Sequence, residues 1–352
     1  MNDKKISSSL TKARVLSGVQ PTGEVHLGNY LGAFKGWINN QQQKENYFCI
    51  VDLHAITVFQ DPNDLRSQIR SLSAILISAG LDTSKSTLFI QSHVRAHCEA
   101  NWILSCVTPL GWLERMTQYK DKSSENESVM MGLLAYPVLM AGDILLYSAD
   151  EVPVGEDQKQ HVELTRDIAQ RFNNMYGETF VIPQPVIPKV AARVMGLNSP
   201  NIKMSKSHAG IRGHSVKLLD EPKEIERSFM RAVTDSDNEI MFSSDPKKAG
   251  VNNLLSIYQV ITEKTKAQVE RDFSDARGYG DLKKRVAEVV IYELSPIRER
   301  YHQLMTNPDE LDKILALGSE KAATIAEPKI NEMKYNIGFI PGKFNEKNNV
   351  LS

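Results

Sequence analysis

Read for the spacing of its apolar positions, the chain begins as short β-type runs alternating with helices and ends as helices alone. "ARVLSG" (13–18) is a short apolar run stopped by glycine, the pattern of a buried strand. In "LGNYLGAFKGWINNQQ" (27–42), Leu27, Leu31, Phe34 and Ile38 recur at helical spacing. "NYFCIVDLHAI" (46–56) is apolar and β-rich again, so the three segments predict a βαβ unit with a right-handed crossover over a parallel sheet. Residues 61–80 predict a helix capped by Asp61 and stopped by Gly80, and "STLFIQS" (86–92) a third strand. From 97 to about 148 the pattern is helical, with breaks expected at Pro109 and Pro137. "EVPVG" (151–155) predicts a short strand, and 156–177 a long amphipathic helix ended by glycine.

After "VIPQPVIPKVAARVMGL" (181–197) comes a polar loop. Beyond it every segment, from "EPKEIERSFMRAV" to "DLKKRVAEVVIYELSPIRERYHQLM", has helical periodicity. An α/β half therefore precedes a helical half, and the change falls near residue 200. No internal repeat or low-complexity tract interrupts either. A chain of 352 residues can build one large domain and a smaller one. Its 41% hydrophobic and 24% charged residues are those of a soluble globular protein. No apolar window approaches the ~18 residues that a membrane helix needs, and "MNDKKISSSLTKA" lacks the apolar core of a secretory signal, so it reads as a tail. A net charge of −1 argues against indiscriminate nucleic-acid binding but leaves room for a local basic stripe. Three cysteines make no disulfide framework and fit a reducing, cytoplasmic setting. His93, His97, Cys98 and Cys106 lie close in sequence, yet their spacing matches no zinc pattern, so buried or capping roles are expected.

The chemistry concentrates in three stretches. "SGVQPTGEVHLGNYLG" (17–32) puts small residues and His26 where the first strand gives way to a helix, the commonest ligand-binding turn of an open parallel sheet. Gly18 and Gly23 suit a tight turn, and Gly28 a close approach to the helix main chain. Unpaired N–H groups at a helix start favour an anion, and His26 can donate to a phosphate oxygen. Alone, this stretch is equally a plain glycine turn; it is neither a Walker loop nor a G-x-G-x-x-G fingerprint. "KMSKS" (203–207) lies in the loop between the two halves. Most lysine clusters are merely solvated, but Lys203 and Lys206 suit a loop that closes on a triphosphate and meets the charge of a leaving pyrophosphate. "AYPVLMAGDILLY" (135–147) is an apolar helical run broken by one carboxylate, with Tyr136, Met140 and Asp143 on one face. A buried Asp of this kind is either satisfied by neighbouring donors or reserved for a ligand.

The "HLGN" of 26–29 is similar to the first signature of class I aminoacyl-tRNA synthetases, and "KMSKS" is that class's second signature unaltered. Together with "SGVQPTG", "YFCIVDLHAIT", "LERMTQYKDKS", "MAGDILLY", "VPVGEDQKQH" and "AVTDSD", the chain resembles the bacterial tryptophanyl-tRNA synthetase family from about Arg14 to Leu304. Two positions depart from the family pattern: Asn29 ends the first signature, and Leu16 stands where relatives often carry a Phe against the substrate ring. The resemblance implies an α/β, Rossmann-like parallel-sheet catalytic domain over 14–202 with a C-terminal α-helical domain. Residues 1–13 would be a flexible tail, 203–207 a mobile loop, 208–304 an anticodon-binding helical domain, and 305–352 a C-terminal helix and tail.

It also implies the reaction. Tryptophan attacks Mg-ATP to give tryptophanyl-adenylate and pyrophosphate, and the aminoacyl group then passes to the 3′-terminal adenosine of tRNA(Trp). Lys203, Ser205, Lys206, His26 and Lys122 would be the catalytic groups. Gln20, Pro21, Thr22, Gly28, Asn29, Gly155, Glu156, Asp157, Val194, Met204 and Ser207 would complete the ATP site with those lysines and Ser205. Asp143 would accept the indole N–H, Tyr136 and Gln158 would hold the α-amino group, and Met140, Val152, Val154 and His54 would line the ring. Mg²⁺ would ride on the triphosphate with no carboxylate cage of its own. The implied assembly is a homodimer. The helices of about 215–304 would read the CCA anticodon, with Lys283, Lys284, Arg285, Arg298 and Arg300 as basic candidates. A tyrosyl-tRNA synthetase shares fold and signatures, but "GEDQ" and the single carboxylate of "MAGDILLY" favour tryptophan. A nucleotidylyltransferase would not need the long helical half, and a synthetase-like RNA-binding protein would not need both signatures intact.

Overall fold

A computed structural model describes residues 12–124, 129–186, 193–204 and 213–340. Strand β1 (Arg14–Val19) leads through the glycine-containing turn into a helical run of three pieces: α1 (Leu27–Asn29), a π-helical turn (Tyr30–Phe34) and α2 (Lys35–Asn40). β2 (Glu45–Ile50), α3 (Asp52–Ala55), α4 (Pro62–Ser78) and β3 (Ser86–Ile90) follow. Next come α5 (Ala96–Val107), α6 (Leu110–Glu114), α7 (Thr117–Ser124) and α8 (Met131–Leu146). β4 (Glu151–Pro153), α9 (Lys159–Tyr176) and β5 (Gln184–Val186) close the α/β half. α10 (Pro222–Met230), α11 (Ala249–Thr262), α12 (Lys266–Asp272), α13 (Tyr279–Thr306) and α14 (Pro308–Ile337) follow it.

The five strands are parallel in the order β3-β2-β1-β4-β5. The strand order therefore reverses between β1 and β4, and a sheet of this kind binds its ligand in the crevice at that switch point, beyond the strands' carboxyl ends. The pleat divides the core. Phe48 and Ile50 of β2 enter one buried cluster with the helices after β1, α4 and the helical half. Tyr47 and Cys49 enter a second cluster with α5, α8 and α9. Leu16 of β1 also belongs to this second cluster, so the position where relatives carry a ring is core wall here.

Four expectations change. "NYFCIVDLHAI" is not strand throughout: pairing ends at Ile50, because Asp52 starts a helical turn, accepting from Leu53 N–H (3.1 Å) and from Ser92 N–H (3.0 Å). Gly18 lies inside β1, where a side chain would press on Val51; of the glycines in the opening stretch, Gly23 makes the turn at φ 69°. Pro137 does not break the helix. It sits inside α8, and the burial of Val138, Ala141, Ile144 and Leu145 outweighs the ~3 kcal/mol that an internal proline costs. α14 does not extend the helical half: it crosses back over edge strand β3 and contributes to both clusters. A side chain at Gly318 would stand 1.8 Å from Leu88 O, so only glycine allows α14 this close, and the covered edge is not open to pairing.

Candidate active site

The turn after β1 and the turn after β4 face each other across the switch point, which places Gln20, Pro21 and Thr22 on one side and Gly155, Glu156 and Asp157 on the other. His26 caps the signature helix. Its Nδ1 accepts Asn29 N–H (3.3 Å), while Asn29 Oδ1 accepts His26 N–H (3.1 Å). The reciprocal pair fixes the start of the helix, and with Nδ1 accepting, the ring proton lies on Nε2. Asn29 thus gives its Oδ1 and its backbone N–H to the cap. Gly28 is needed for a reason other than ligand approach alone: a Cβ there would lie 3.0 Å from His26 Nδ1 and 3.3 Å from Met204 Cβ.

That contact joins the two signatures. Met204 N–H donates to Val194 O (3.0 Å), Lys203 bridges Met195, and both Val194 and Met204 are buried. Residues 25–27 pair with 216–218 through Leu27 N–H to Val216 O (2.8 Å) and Leu218 N–H to Val25 O (3.0 Å). Ser205, Lys206 and Ser207 lie outside the described residues, as does the side chain of Lys122, whose backbone is on α7. The 3₁₀ turn Glu156–Gln158 opens the helix after β4. Gly155 makes room for the carboxylate of Asp157, which a Cβ would meet at 2.7 Å, and Gln158 donates its amide to that carboxylate (2.9 Å) instead of standing apart.

The other end of the crevice is built from buried side chains. Asp143, on α8, receives Gln91 Nε2 on both oxygens (2.7 and 2.8 Å), His97 Nδ1 on Oδ1 (2.6 Å) and His54 Nε2 on Oδ2 (2.8 Å). Burial by itself would push this carboxyl up. The hydrogen bonds from His54 and His97 outweigh it and hold Asp143 well below the usual carboxylate range. His97 is itself oriented by Tyr147 Oη at 2.9 Å from Nε2, and because the ionised Asp143 can only accept, Nδ1 is the nitrogen that donates to it. Tyr136 lies edge-on to His54 with ring centroids 6.2 Å apart; its hydroxyl donates to Gln118 Oε1 (3.1 Å) and stands 2.8 Å from His161 Nε2. Burial pushes its hydroxyl up to about 12. Met140, half-buried on the same face of α8, and Val152 and Val154 near β4 supply apolar surface.

The structure therefore brings Asp143, His54 and Tyr136 together, and adds Gln91, His97, Tyr147, Gln118 and His161. Gln91 had a signal that could have found it: a polar residue at the carboxyl end of a buried strand, where such sheets carry function. His97, expected as a buried or capping residue rather than a metal ligand, is buried, and both its ring nitrogens are taken. Among the described residues no group of three or more His, Cys, Asp or Glu is placed to hold a metal ion, and Cys98 and Cys106 are exposed. A cavity of about 420 Å³ adjoins this site, with Gln20 and Pro21 as one wall and Leu72, Ile75 and Tyr301 as another. It lies beside the chemistry rather than in it.

The profile of class I tRNA synthetases (W and Y) matches residues 8–295. The tryptophan–tRNA ligase of Wolinella succinogenes is 51% identical over 94% of this chain and 100% of its own. Among solved structures, the tryptophanyl-tRNA synthetase of Mycoplasma pneumoniae is 35% identical, covers 94% of this chain and 99% of its own, and has a TM-score of 0.84. That of Campylobacter jejuni, complexed with ADP and tryptophan, is 36% identical, covers 93% of this chain and 100% of its own, and has a TM-score of 0.81. A tyrosyl-tRNA synthetase of Archaeoglobus fulgidus, 21% identical with a TM-score of 0.64, shares the fold alone. With the family profile matching most of the chain and relatives matched over nearly their whole length, the chain belongs to the class I tRNA synthetases, in the tryptophan–tRNA ligase family.

Proposed function

We propose that the crevice at the β1/β4 switch point is where this tryptophan–tRNA ligase joins tryptophan to ATP, with the indole at the Asp143 end and the phosphates between the two signatures. The observation that supports the placement is the close approach of Gly28 to Met204, which sets the first signature against the start of the second, while Asp143 has its own network of buried donors. Tryptophan's carboxylate attacks the α-phosphorus, giving tryptophanyl-adenylate and releasing pyrophosphate; a ribose hydroxyl of the 3′-terminal adenosine of tRNA(Trp) then attacks the aminoacyl carbonyl and AMP leaves. No covalent enzyme intermediate is required, so the protein contributes positioning and charge stabilisation.

Lys203 and Lys206, with Ser205 and Ser207, meet the departing pyrophosphate, and Lys122 adds a phosphate contact. His26 donates from Nε2 to a phosphate oxygen, the helix behind it held by Asn29. Gln20, Pro21, Thr22 and Gly28 line the ATP, Val194 and Met204 flank adenine, and Gly155, Glu156 and Asp157 take the ribose. Mg²⁺ enters with the triphosphate as part of the substrate. Asp143, ionised by its donors, accepts the indole N–H. His54 has 14% of its side chain exposed whereas His97 has none, so the indole meets Oδ2 on the His54 side. Tyr136 and Gln158 face the α-amino group, with Met140, Val152 and Val154 as walls. A pyrophosphate-exchange assay across the twenty amino acids tests the reading: exchange with tryptophan alone supports it, and exchange with tyrosine or with none overturns it.

The same reading makes the chain a cytoplasmic homodimer. Phe59 (91% exposed) and Trp102 (71%), with Met131 and Ile56, are exposed apolar side chains that a partner subunit would cover. No helix among the described residues is long and apolar enough to cross a membrane. Analytical ultracentrifugation at micromolar concentration is expected to give a dimer, and Trp102→Glu to shift it toward monomer. A monomeric parent would sink the claim.

A further inference from the structure

The segment 194–197 has its main chain used on every side. Val194 O accepts from Met204 N–H (3.0 Å), and Gly196 N–H donates to Ile202 O (2.8 Å). Asn253 of α11 clamps both the N–H and the C=O of Met195 at 2.9 Å. Leu197 N–H donates to His214 O (3.0 Å), and Leu197 O accepts from Val233 N–H (2.8 Å). One flank thus carries Lys203 and Met204. The other leans on the helical half and on the strand-like segment after His214, which pairs with the signature turn.

His214 is the piece that fills the space behind this spine. It is 1% exposed, and its Nδ1 lies 2.9 Å from Asn198 Oδ1. Its ring lies so close to Gly196 that a Cβ there would stand 2.1 Å from Cε1, 2.4 Å from Nδ1 and 2.8 Å from Nε2. No rotamer adjustment of a few tenths of an ångström relieves an overlap of that size, and the ring, buried on all sides, has nowhere to swing.

We propose that Gly196 and His214 form a positioning pair: the ring seated on the bare glycine backbone sets the height of the 194–197 segment, and through it where Lys203 and Met204 stand against Gly28. This rests on the assignment of Lys203 and Met204 to the ATP site. Because the pair sits behind the nucleotide end and far from Asp143 in the bonding network, disturbing it acts on ATP and leaves tryptophan alone. A misplacement of about 1 Å at a positioning element costs up to ~10²-fold.

The test is ATP–pyrophosphate exchange with full-length Gly196→Ala, His214→Ala and the double variant, measuring KM for each substrate and kcat, with thermal melts alongside. Gly196→Ala is expected to raise KM for ATP by roughly tenfold or more and to lower kcat, with KM for tryptophan within about twofold of the parent. His214→Ala is expected to have a smaller defect of the same kind. The double variant is expected to be no worse than His214→Ala, since the added methyl then enters vacated space. Variants that melt earlier yet keep the parent's KM for ATP and kcat would mark the pair as packing only and overturn the inference, as would an equal rise in both KM values or additive losses in the double. If Gly196→Ala does not fold, His214→Ala decides alone: an ATP-specific defect supports the pair, and its absence overturns it. Lys203→Ala run in parallel separates the two readings. A parent-like Lys203→Ala overturns the site assignment, whereas a slow Lys203→Ala beside a parent-like Gly196→Ala overturns only the positioning pair.

Discussion

The two ends of the crevice are made differently. At the amino-acid end, side chains do the work and are already in place: Asp143 holds hydrogen bonds from three residues, Gln91 and His97 are fully buried, and Tyr136 is fixed by Gln118 and His161. At the nucleotide end the fixed parts are main chain and missing side chains. Gly28 yields to Met204, Gly155 yields to Asp157, and Lys203 is exposed. Selecting one ring among twenty side chains needs an acceptor held in one place, and rigidity comes from a saturated buried network. Holding a triphosphate whose charge shifts during reaction needs donors that move with it.

The largest expected effect falls on the rigid end. Phenylalanine has no ring donor with which to reach Asp143 Oδ2 beside His54, so the parent is expected to prefer tryptophan, by up to ~10⁴-fold where the indole N–H is the donor the site is built for. Asp143→Ala is expected to lower kcat/KM for tryptophan by ~10²-fold or more and to narrow that margin. The same change strands the donors of Gln91, His97 and His54, which costs ~3 kcal/mol or more of stability. Asp143→Asn, which keeps the shape, separates recognition from folding. 1-Methyltryptophan should be a poor substrate for the parent and should lose far less than tryptophan in either variant. Equal exchange by the parent with both amino acids would make Asp143 structural. The pH profile adds a signed check. A carboxyl held below its ordinary range is ionised throughout neutral and mildly acidic solution, so Asp143 contributes no acid limb to kcat/KM for tryptophan between about pH 5 and 8.

The nucleotide end should respond in kcat instead. Lys203→Ala and Lys206→Ala are each expected to slow adenylate formation by ~10²–10³-fold while tryptophan's Kd stays at the parent value. Pre-steady-state formation at the parent rate would remove both from the pyrophosphate, and a weakened tryptophan Kd would break the separation of the two ends. Gly28→Ala is milder. Its Cβ asks Met204 and His26 to give by a few tenths of an ångström, so KM for ATP should rise about fivefold to tenfold, for ~1 kcal/mol of strain. An unchanged KM for ATP would show that the Gly28–Met204 contact does not set the nucleotide's place.

The same contrast explains what the sequence made legible. The nucleotide end is contiguous: residues 20–29 and 203–207 show their turn, glycines and lysines within a few positions, and the periodicity of the flanking segments places them after strands or between the halves. The amino-acid end is assembled from four distant elements. Asp143 betrayed itself as a charge inside an apolar helix, but Gln91 and His97, 52 and 46 residues away, carry no local mark of facing it. The end of β2 was hidden for a related reason. Val51–Ala55 continues the apolar run, and only the distant Ser92 and Gln91, bonding Asp52 and Leu53, turn it into the helix that delivers His54. Gly318 against Leu88, which seats α14 on the sheet edge, is likewise a contact between elements that no local pattern announces.

The smallest effects are expected in the helices of about 215–304, which we propose meet tRNA, and there too groups already spent inside the fold differ from groups left for a partner. Of the five basic candidates, Arg285 is held bidentate by Asp275 at 2.8 Å and lies over the Phe273 ring, and Arg298 donates to Asp220 O at 3.1 Å. Lys283 is half-buried, and burial pulls its ammonium's pKa down. Lys284 and Arg300 are exposed. A cation contributes to tRNA affinity by releasing counterions from a phosphate, and one already neutralised by a neighbouring carboxylate has less to give. Lys284→Ala and Arg300→Ala should therefore each raise KM for tRNA a few-fold, flatten the salt dependence of tRNA binding by ~1 in log–log slope, and leave ATP–pyrophosphate exchange untouched. Arg285→Ala should do the reverse, lowering the melting temperature through the lost pair and ring contact while the tRNA salt slope holds. If Arg285→Ala flattened the slope and Lys284→Ala and Arg300→Ala did not, the ion pair to Asp275 would have to open on tRNA binding, and the groups tied within the domain, not the exposed ones, would be its reading surface.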